Sequence, residues 1–237
     1  MEKQGCGCRK CLNKSCTRKV PIFSILDESE SDHVAELILH RSYSKGSLII
    51  MEDDSLESLI IVNKGSVKVY SYTPEEREQI LYIFTEGDFF GERYLMKSRK
   101  SDYYVEALED TEVCMVQKND FEKLLAEKPG IGLKIIEELS TRLERLEDAV
   151  RNMGTKTVES RVGAILLEFA GKYGIEQKDG ILVELPLSRE GIANYIGLAR
   201  ETVSRKLGLL QDEGIIEMIG NKKILIRRMD LLNDQKV

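Results

Sequence analysis

Two stretches of this chain combine residue types whose spacing can do chemistry. The first lies near the N-terminus, where Cys6, Cys8, Cys11 and Cys16 stand among Lys and Arg with almost no apolar residues. Such a segment cannot bury a core of its own. Clustered thiols in a chain without secretory character argue for metal or redox chemistry over structural disulfides. Their C-x-C-x2-C-x4-C spacing lets thiolates wrap one soft centre, zinc or an iron–sulfur cluster, and the surrounding cations favour the thiolate form. The second stretch is Arg200-Glu201-Thr202-Val203-Ser204-Arg205. If it is helical, Val203 falls on a buried stripe with Leu207 and Leu210, which leaves Arg200, Glu201, Ser204 and Arg205 outward. Glu201 and Arg205 then lie one turn apart on the same side. Arginine can bond guanine O6 and N7 together and glutamate can accept from cytosine N4, so the cluster has the chemistry of base readout.

The elements that must position the second cluster run from Leu187 to Ile216. Two short amphipathic helical patterns flank Gly197-Leu198-Ala199, the spacing of a helix-turn-helix whose second helix enters the DNA major groove. In the first helix Ile192, Ala193 and Ile196 form the expected buried stripe, and Ser188 is a good N-cap. Residues 158–172 form a further amphipathic helix, followed by a strand at Ile181–Leu185. Ile215–Ile219 and Lys223–Arg227 then read as a hairpin turned at Gly220-Asn221, which completes a winged helix-turn-helix. Ser188, Thr202, Lys222 and Lys223 are candidate phosphate contacts, with Arg227 and Arg228 beside them on the wing.

The elements between the two stretches are of a different kind. From Tyr43 to Leu125 short β-rich runs (Leu48–Ile50, Leu59–Val62, Val67–Tyr70, Ile80–Phe84, Thr111–Gln117) are separated by Gly46, Gly65, Gly87 and Gly91. This spacing predicts a small antiparallel double-sheet roll. A metal-dependent roll enzyme needs a histidine-rich interior, and the two histidines, His33 and His40, are both expected to precede the roll. No glycine-rich phosphate loop and no nucleophile with a histidine base is found, so the chain does not read as an enzyme. Cys114 sits in the last of these strands, where an isolated cysteine is ordinarily a small core residue.

Residues 130–154 then predict one long charged helix with an apolar seam. Ile136, Leu139, Leu143, Leu146, Val150 and Met153 recur at alternating intervals of three and four, the period of a two-stranded coiled coil and hence of a homodimer. With Ile136 at position a, Arg142 falls at g and Glu147 at the following e, placed to pair across a parallel dimer. Gly154-Thr155 ends the helix and marks a hinge.

Composition sets the compartment and the class. A chain of 237 residues with 42% hydrophobic residues can bury two cores. No apolar stretch is long enough for a membrane span, and the N-terminus carries charge and cysteine where a signal peptide has an apolar run, so a cytoplasmic protein is expected. The formal charge of −6 is unevenly spread: residues 1–155 carry 22 Lys+Arg against 29 Asp+Glu, and residues 156–237 carry 13 against 12. The acidic excess is therefore absent from the C-terminal part that is expected to meet phosphates.

The helix-turn-helix stretch resembles the DNA-binding signature of the CRP/FNR family of bacterial transcription regulators, most closely in Ala193, Gly197, Arg200–Arg205 and Leu210 through Glu213-Gly214. The resemblance extends more weakly over almost the whole chain. It implies an α+β chain: a cysteine-rich segment (1–20), a double-stranded β-helix (jelly-roll, cyclic-nucleotide-binding-like) sensor domain (21–129), a coiled-coil dimer helix (130–154) and a winged helix-turn-helix domain (155–237). It also implies double-stranded DNA with an inverted repeat as partner, and RNA polymerase if the protein is an activator. In the oxygen-sensing FNR branch, three N-terminal cysteines and one strand cysteine shortly after an Ala-Leu-Glu segment hold a [4Fe-4S] cluster. Here Ala107-Leu108-Glu109 precedes Cys114 at a matching distance. Cys8, Cys11 and Cys16 fit the other three ligands with one residue fewer in the last gap, and Cys6 is an extra thiol and an alternative ligand. A thiol/disulfide- or zinc-gated regulator, or one binding a small molecule in the roll, are the other readings.

Three departures from the family pattern carry expectations of their own. Gly91-Glu92 resemble the first half of the cyclic-nucleotide cassette, but Asp102-Tyr103 stand where the nucleotide-binding members have the phosphate-binding Arg-Ser. A carboxylate there repels a phosphate, which disfavours a cyclic nucleotide unless Arg99 or Lys100 substitutes. Leu146 stands where oxygen-sensing relatives carry an aspartate that keeps apo subunits apart, so a dimer is expected even without cofactor. Arg200 resembles the nucleotide-responsive branch, where it reads an outer guanine, and Ser204 resembles the FNR branch. The half-site is accordingly expected to be closer to TGTGA than to TTGAT.

Overall fold

The computed structural model describes residues 20–96, 100–155 and 157–234. Cys6, Cys8, Cys11, Cys16 and Arg99 lie outside the described residues. Two compact units are present, Met1–Ser71 with Leu81–Glu144 and Tyr72–Ile80 with Arg145–Val237.

The first unit is built on β1 (Ile38–Tyr43), β2 (Leu48–Ile50), β3 (Ser58–Lys64), β4 (Ser66–Tyr72), β5 (Glu78–Thr85), β6 (Phe89–Phe90), β7 (Tyr104–Ala107) and β8 (Thr111–Gln117). They form two antiparallel four-stranded sheets ordered β1-β8-β3-β6 and β2-β7-β4-β5. The β1, β6 and β7 strands were not separately legible in the sequence, nor were α1 (Glu28–Leu37), α2 (Glu92–Met96) and α3 (Lys118–Glu127). The start of α1 nonetheless has a local cause, a capping box in which Asp27 accepts from the Glu30 amide and Glu30 accepts from the Asp27 amide.

The β3 strand is apolar without a break because both of its faces are covered. Ile60 and Val62 point into the core between the sheets, with Val67, Val69, Phe84, Phe90, Tyr94, Tyr103, Val105 and Val113. Leu59 and Ile61 point into a second core on the other face, with Val20, Ile22, Phe23, Val34, Ile38, Val116, Phe121, Leu124, Ile131 and Ile135. Period-two alternation in β8 places Val113 in the first core and Cys114 with Val116 in the second. The fifth cysteine therefore faces away from the interior of the roll.

The long helix α4 spans Pro129–Thr155. Its seam is open to solvent: Ile136 is 60% exposed, Leu139 37%, Leu143 56% and Leu146 39%, and Leu133 extends the stripe at 64%. The side chains of Val150 and Met153 are outside the described set. Arg142 corrects the expected cross-dimer pairing with Glu147. It turns away from the seam, is 8% exposed, and enters the first unit, while Glu147 is exposed. A guanidinium at that position finds a buried carboxylate and two aromatic faces within its own chain, which outweigh a solvated interhelical pair.

The second unit contains α5 (Val158–Tyr173), β9 (Gly174–Gln177), β10 (Gly180–Glu184), α6 (Arg189–Ile196), α7 (Arg200–Asp212), β11 (Ile216–Ile219), β12 (Lys223–Ile226) and α8 (Met229–Asp234). The sheet order is β11-β12-β10-β9, and the wing hairpin pairs Ile219 with Lys223. The wing loop is thus Gly220–Lys222, one residue longer than the expected two-residue turn, with Gly220 at φ 65°.

Candidate functional site

The helix-turn-helix is assembled from local signals. Thr157 caps α5 by accepting from the Ser160 amide at 3.2 Å, and Ser188 caps α6 by accepting from the Gly191 amide at 3.1 Å. The turn into α7 is made by Gly197 in the left-handed region at φ 67°, where its amide donates to the Ala193 carbonyl. Ala199 starts α7 without a side-chain cap. Ile192, Ala193, Val203, Leu207 and Leu210 are fully buried as expected. Ile196 is only half-buried, because it ends α6 beside the turn, where packing partners run out.

On the opposite face of α7, Arg200, Glu201 and Arg205 are exposed and Ser204 is half-exposed, so the four candidate base contacts are presented together on one side. Among the candidate phosphate contacts, Ser188, Lys222 and Lys223 are exposed and Thr202 is half-buried. Three wing cations have internal anions: Lys223 lies 3.8 Å from Glu184, Arg227 pairs with Glu217 across the hairpin, and Arg228 lies 3.2 Å from Asp230. One lysine of α7 is placed against its type. Lys206 is 7% exposed, with its ammonium 3.9 Å from Glu159 near the start of α5.

Where the family resemblance put a nucleotide, Glu92 is engaged by a side chain from α4. Gly91 has φ 94°, and a Cβ there would stand 2.6 Å from the Ser58 carbonyl oxygen, so the residue before Glu92 has to be glycine. Glu92 is 7% exposed and meets the Arg142 guanidinium, with Nη1 at 3.4 Å from Oε1. Arg142 also donates from Nη2 to the Phe89 carbonyl at 2.7 Å and lies over the Phe84 and Phe89 rings at 4.8 and 4.4 Å. The second Glu92 oxygen is buried without a hydrogen-bond partner among the described residues. Burial pushes the Glu92 carboxyl above the usual range, and Arg142 opposes that shift. At the phosphate-side position, Asp102 accepts from the Tyr94 hydroxyl at 2.8 Å and lies 3.6 Å from Arg93. Lys100, a possible substitute, is 3.7 Å from Asp53.

Cys114 is 1% exposed, and its Sγ lies 3.4 Å from Nδ1 of His40, the residue opposite it in the β1–β8 register. His40 is thus part of the roll, not ahead of it, a contact that the sequence reading missed because it excluded the strand preceding Tyr43. Among the described residues no group of three or more His, Cys, Asp or Glu could hold a metal ion.

A double-sheet roll followed by a long helix with an open apolar seam and a winged helix-turn-helix is the architecture of a DNA-binding regulator. Residues 40–128 match the family of the cyclic nucleotide-binding domain and residues 160–235 that of the Crp-like helix-turn-helix domain. The chain is 30% identical over 220 residues to the nitrogen fixation regulation protein FixK of Bradyrhizobium diazoefficiens, covering 92% of this chain and 90% of that protein. It is 29% identical over 217 residues to the probable transcriptional regulator flp of Lacticaseibacillus casei, covering 92% and 96%. The solved structure of FixK2 from Bradyrhizobium japonicum matches with a TM-score of 0.74 at 30% identity, over 84% of this chain and 98% of that one. The chain belongs to the CRP/FNR family of transcription regulators, whose members bind DNA and act as dimers. No helix among the described residues is long and apolar enough to cross a membrane.

Proposed function

We propose that this regulator is gated by oxygen or another oxidant through a [4Fe-4S] cluster held by Cys114 and three of the N-terminal thiols, Cys8, Cys11 and Cys16, with Cys6 as the alternative. The observation that carries the reading is the placement of Cys114. Its thiol lies on the outer face of the β1–β8 sheet, in the same core as Val20, Ile22 and Phe23. Cys16 precedes Val20 by four residues, a span of at most about 14 Å of extended chain, so its thiol is within reach of this face. A bound cluster supplies a redox-labile centre whose loss registers oxidation. The protein's own residues do the rest: Cys114 supplies a thiolate from a rigid strand, and His40 Nδ1 lies in hydrogen-bonding range of the sulfur and can orient it.

A cyclic nucleotide is a poor fit, since Glu92 is engaged by Arg142 and a carboxylate, Asp102, stands at the phosphate-side position. Arg200, Glu201, Ser204 and Arg205 are assigned to base edges of a TGTGA-like inverted repeat, with Ser188, Thr202, Lys222 and Lys223 at phosphates. The homodimer forms along Ile136, Leu139, Leu143 and Leu146, continued by Val150 and Met153. A cytoplasmic location accords with this role, as does contact with RNA polymerase if the protein activates transcription.

Iron and acid-labile sulfide analysis after purification without oxygen, wild type beside Cys114→Ala, tests the gating. The expected result is a brown wild-type protein and a variant depleted in both elements that remains folded. A colourless zinc-containing wild type, or a variant with full cluster content, rejects the assignment.

A further inference from the structure

Two cations of α7 act on one carboxylate. Lys206 belongs to the face of the helix that carries Val203, Leu207 and Leu210, and its burial to 7% is rare for lysine without a compensating anion. That anion is Glu159, whose side chain is 49% exposed and lies 3.9 Å from the ammonium. Arg205, the residue immediately before Lys206, is exposed on the base-reading side, and its charge also acts on Glu159. The Glu159 carboxyl is held below its usual range, first by its own backbone amide at the helix start and then by Lys206, Thr157 and Arg205. It is therefore an anion at neutral pH, standing where the recognition helix meets solvent.

We infer that Glu159 is a specificity-determining residue of the DNA interface: by engaging Lys206 it keeps a cation adjacent to the base-reading Arg205 from pairing with phosphates, and so holds down affinity for DNA of arbitrary sequence. The physical reason is that each phosphate neutralised by a protein cation releases condensed counterions and strengthens binding irrespective of sequence. An ammonium already compensated inside the protein releases none. Base readout by Arg200, Glu201, Ser204 and Arg205 does not use the Lys206 charge, so engaging it subtracts from non-specific binding alone. If the carboxylate loses its charge, a buried ammonium without a counter-ion is driven outward along its flexible stem, toward the surface that Arg205 shares.

The inference rests on the DNA-binding reading, and binding titrations against salt separate the two. With the full-length, anaerobically purified protein, one more phosphate contact should steepen the slope of log K against log salt by about 0.9, an extra loss of roughly 3- to 4-fold between about 50 and 200 mM. Glu159→Gln is expected to show this steeper slope, tighter binding to a scrambled duplex at low salt, and a lower ratio of specific to scrambled affinity. Lys206→Met keeps the buried stem without the charge, and in that background Glu159→Gln should no longer steepen the slope. Wild-type slope and ratio in Glu159→Gln overturn the inference. So does a slope change that persists in the Lys206→Met background, because Glu159 then acts through its own charge and not by retaining the lysine. A wild-type protein that binds no duplex at low salt overturns the DNA-binding reading itself. Thermal melting of each variant confirms that only folded protein is compared.

Discussion

Glu92 and Glu159 each meet a cation from a neighbouring helix, and the two pairs are made for opposite purposes. Glu92 and Arg142 are both under a tenth exposed, and Arg142 is further held by a carbonyl and two ring faces. Glu159 is half in solvent and shares a single, longer contact with Lys206. A pair taken fully out of water cannot be opened without stranding a charge, so it serves to tie α4 to the roll. A pair whose carboxylate is half in solvent holds its cation more weakly, so it serves to restrain the buried Lys206 ammonium, which is released only if that carboxylate loses its charge. The cations are equally buried, so the exposure of the carboxylate separates the structural pair from the one that can be opened.

The largest expected effect comes from breaking the buried pair. Arg142→Leu leaves Glu92 without its counter-ion and should destabilise the protein by about 3–5 kcal/mol in chemical denaturation. Replacing both partners, Glu92→Leu with Arg142→Met, should recover most of that loss. If the single variant melts like wild type, Arg142 does not tie the helix to the roll.

The other face of α4 offers a smaller effect of a different kind. Burying a leucine at the seam contributes roughly 1.5–3 kcal/mol per side chain, so Leu146→Asp should dissociate the cofactor-free dimer while each subunit stays folded. Sedimentation at micromolar concentration reads this directly. A cofactor-free wild type that is already monomeric shows instead that this open seam does not suffice for assembly.

The smallest effect concerns the exposed face of α7. Arg200→Val should remove about 1–3 kcal/mol of discrimination in favour of the outer guanine and leave folding unchanged. Competition between TGTGA-N6-TCACA and TTGAT-N4-ATCAA palindromes at fixed salt measures it. An unchanged preference would make Arg200 a phosphate contact and remove the basis for the TGTGA half-site.

Features governed by near neighbours were legible without a structure. Ser188 as a cap, Gly197 at the turn, the alternation that buries Val203, Leu207 and Leu210, and the three-and-four rhythm from Ile136 to Leu146 all depend on residues within a few positions of one another. The strand runs around Leu59 and Val67 were legible for the same reason, whereas β6, only two residues long, has too few for a period to show.

The sequence by itself determined the order of roll, long helix and winged helix-turn-helix, the apolar seam and the chemistry displayed on the recognition helix. The tertiary structure alone decided which polar side chains those elements turn inward. Arg142 follows a heptad position and was expected to face a second helix, but its partner Glu92 is 50 residues away. His40 and Cys114 are 74 residues apart and meet only because β1 and β8 pair. Lys206 lies in a polar run whose periodicity says nothing of Glu159, and its burial follows from the packing of α5 against α7. A charged side chain's free energy depends on the dielectric and the counter-charges around it, and in this protein both are supplied by chain segments far away in sequence.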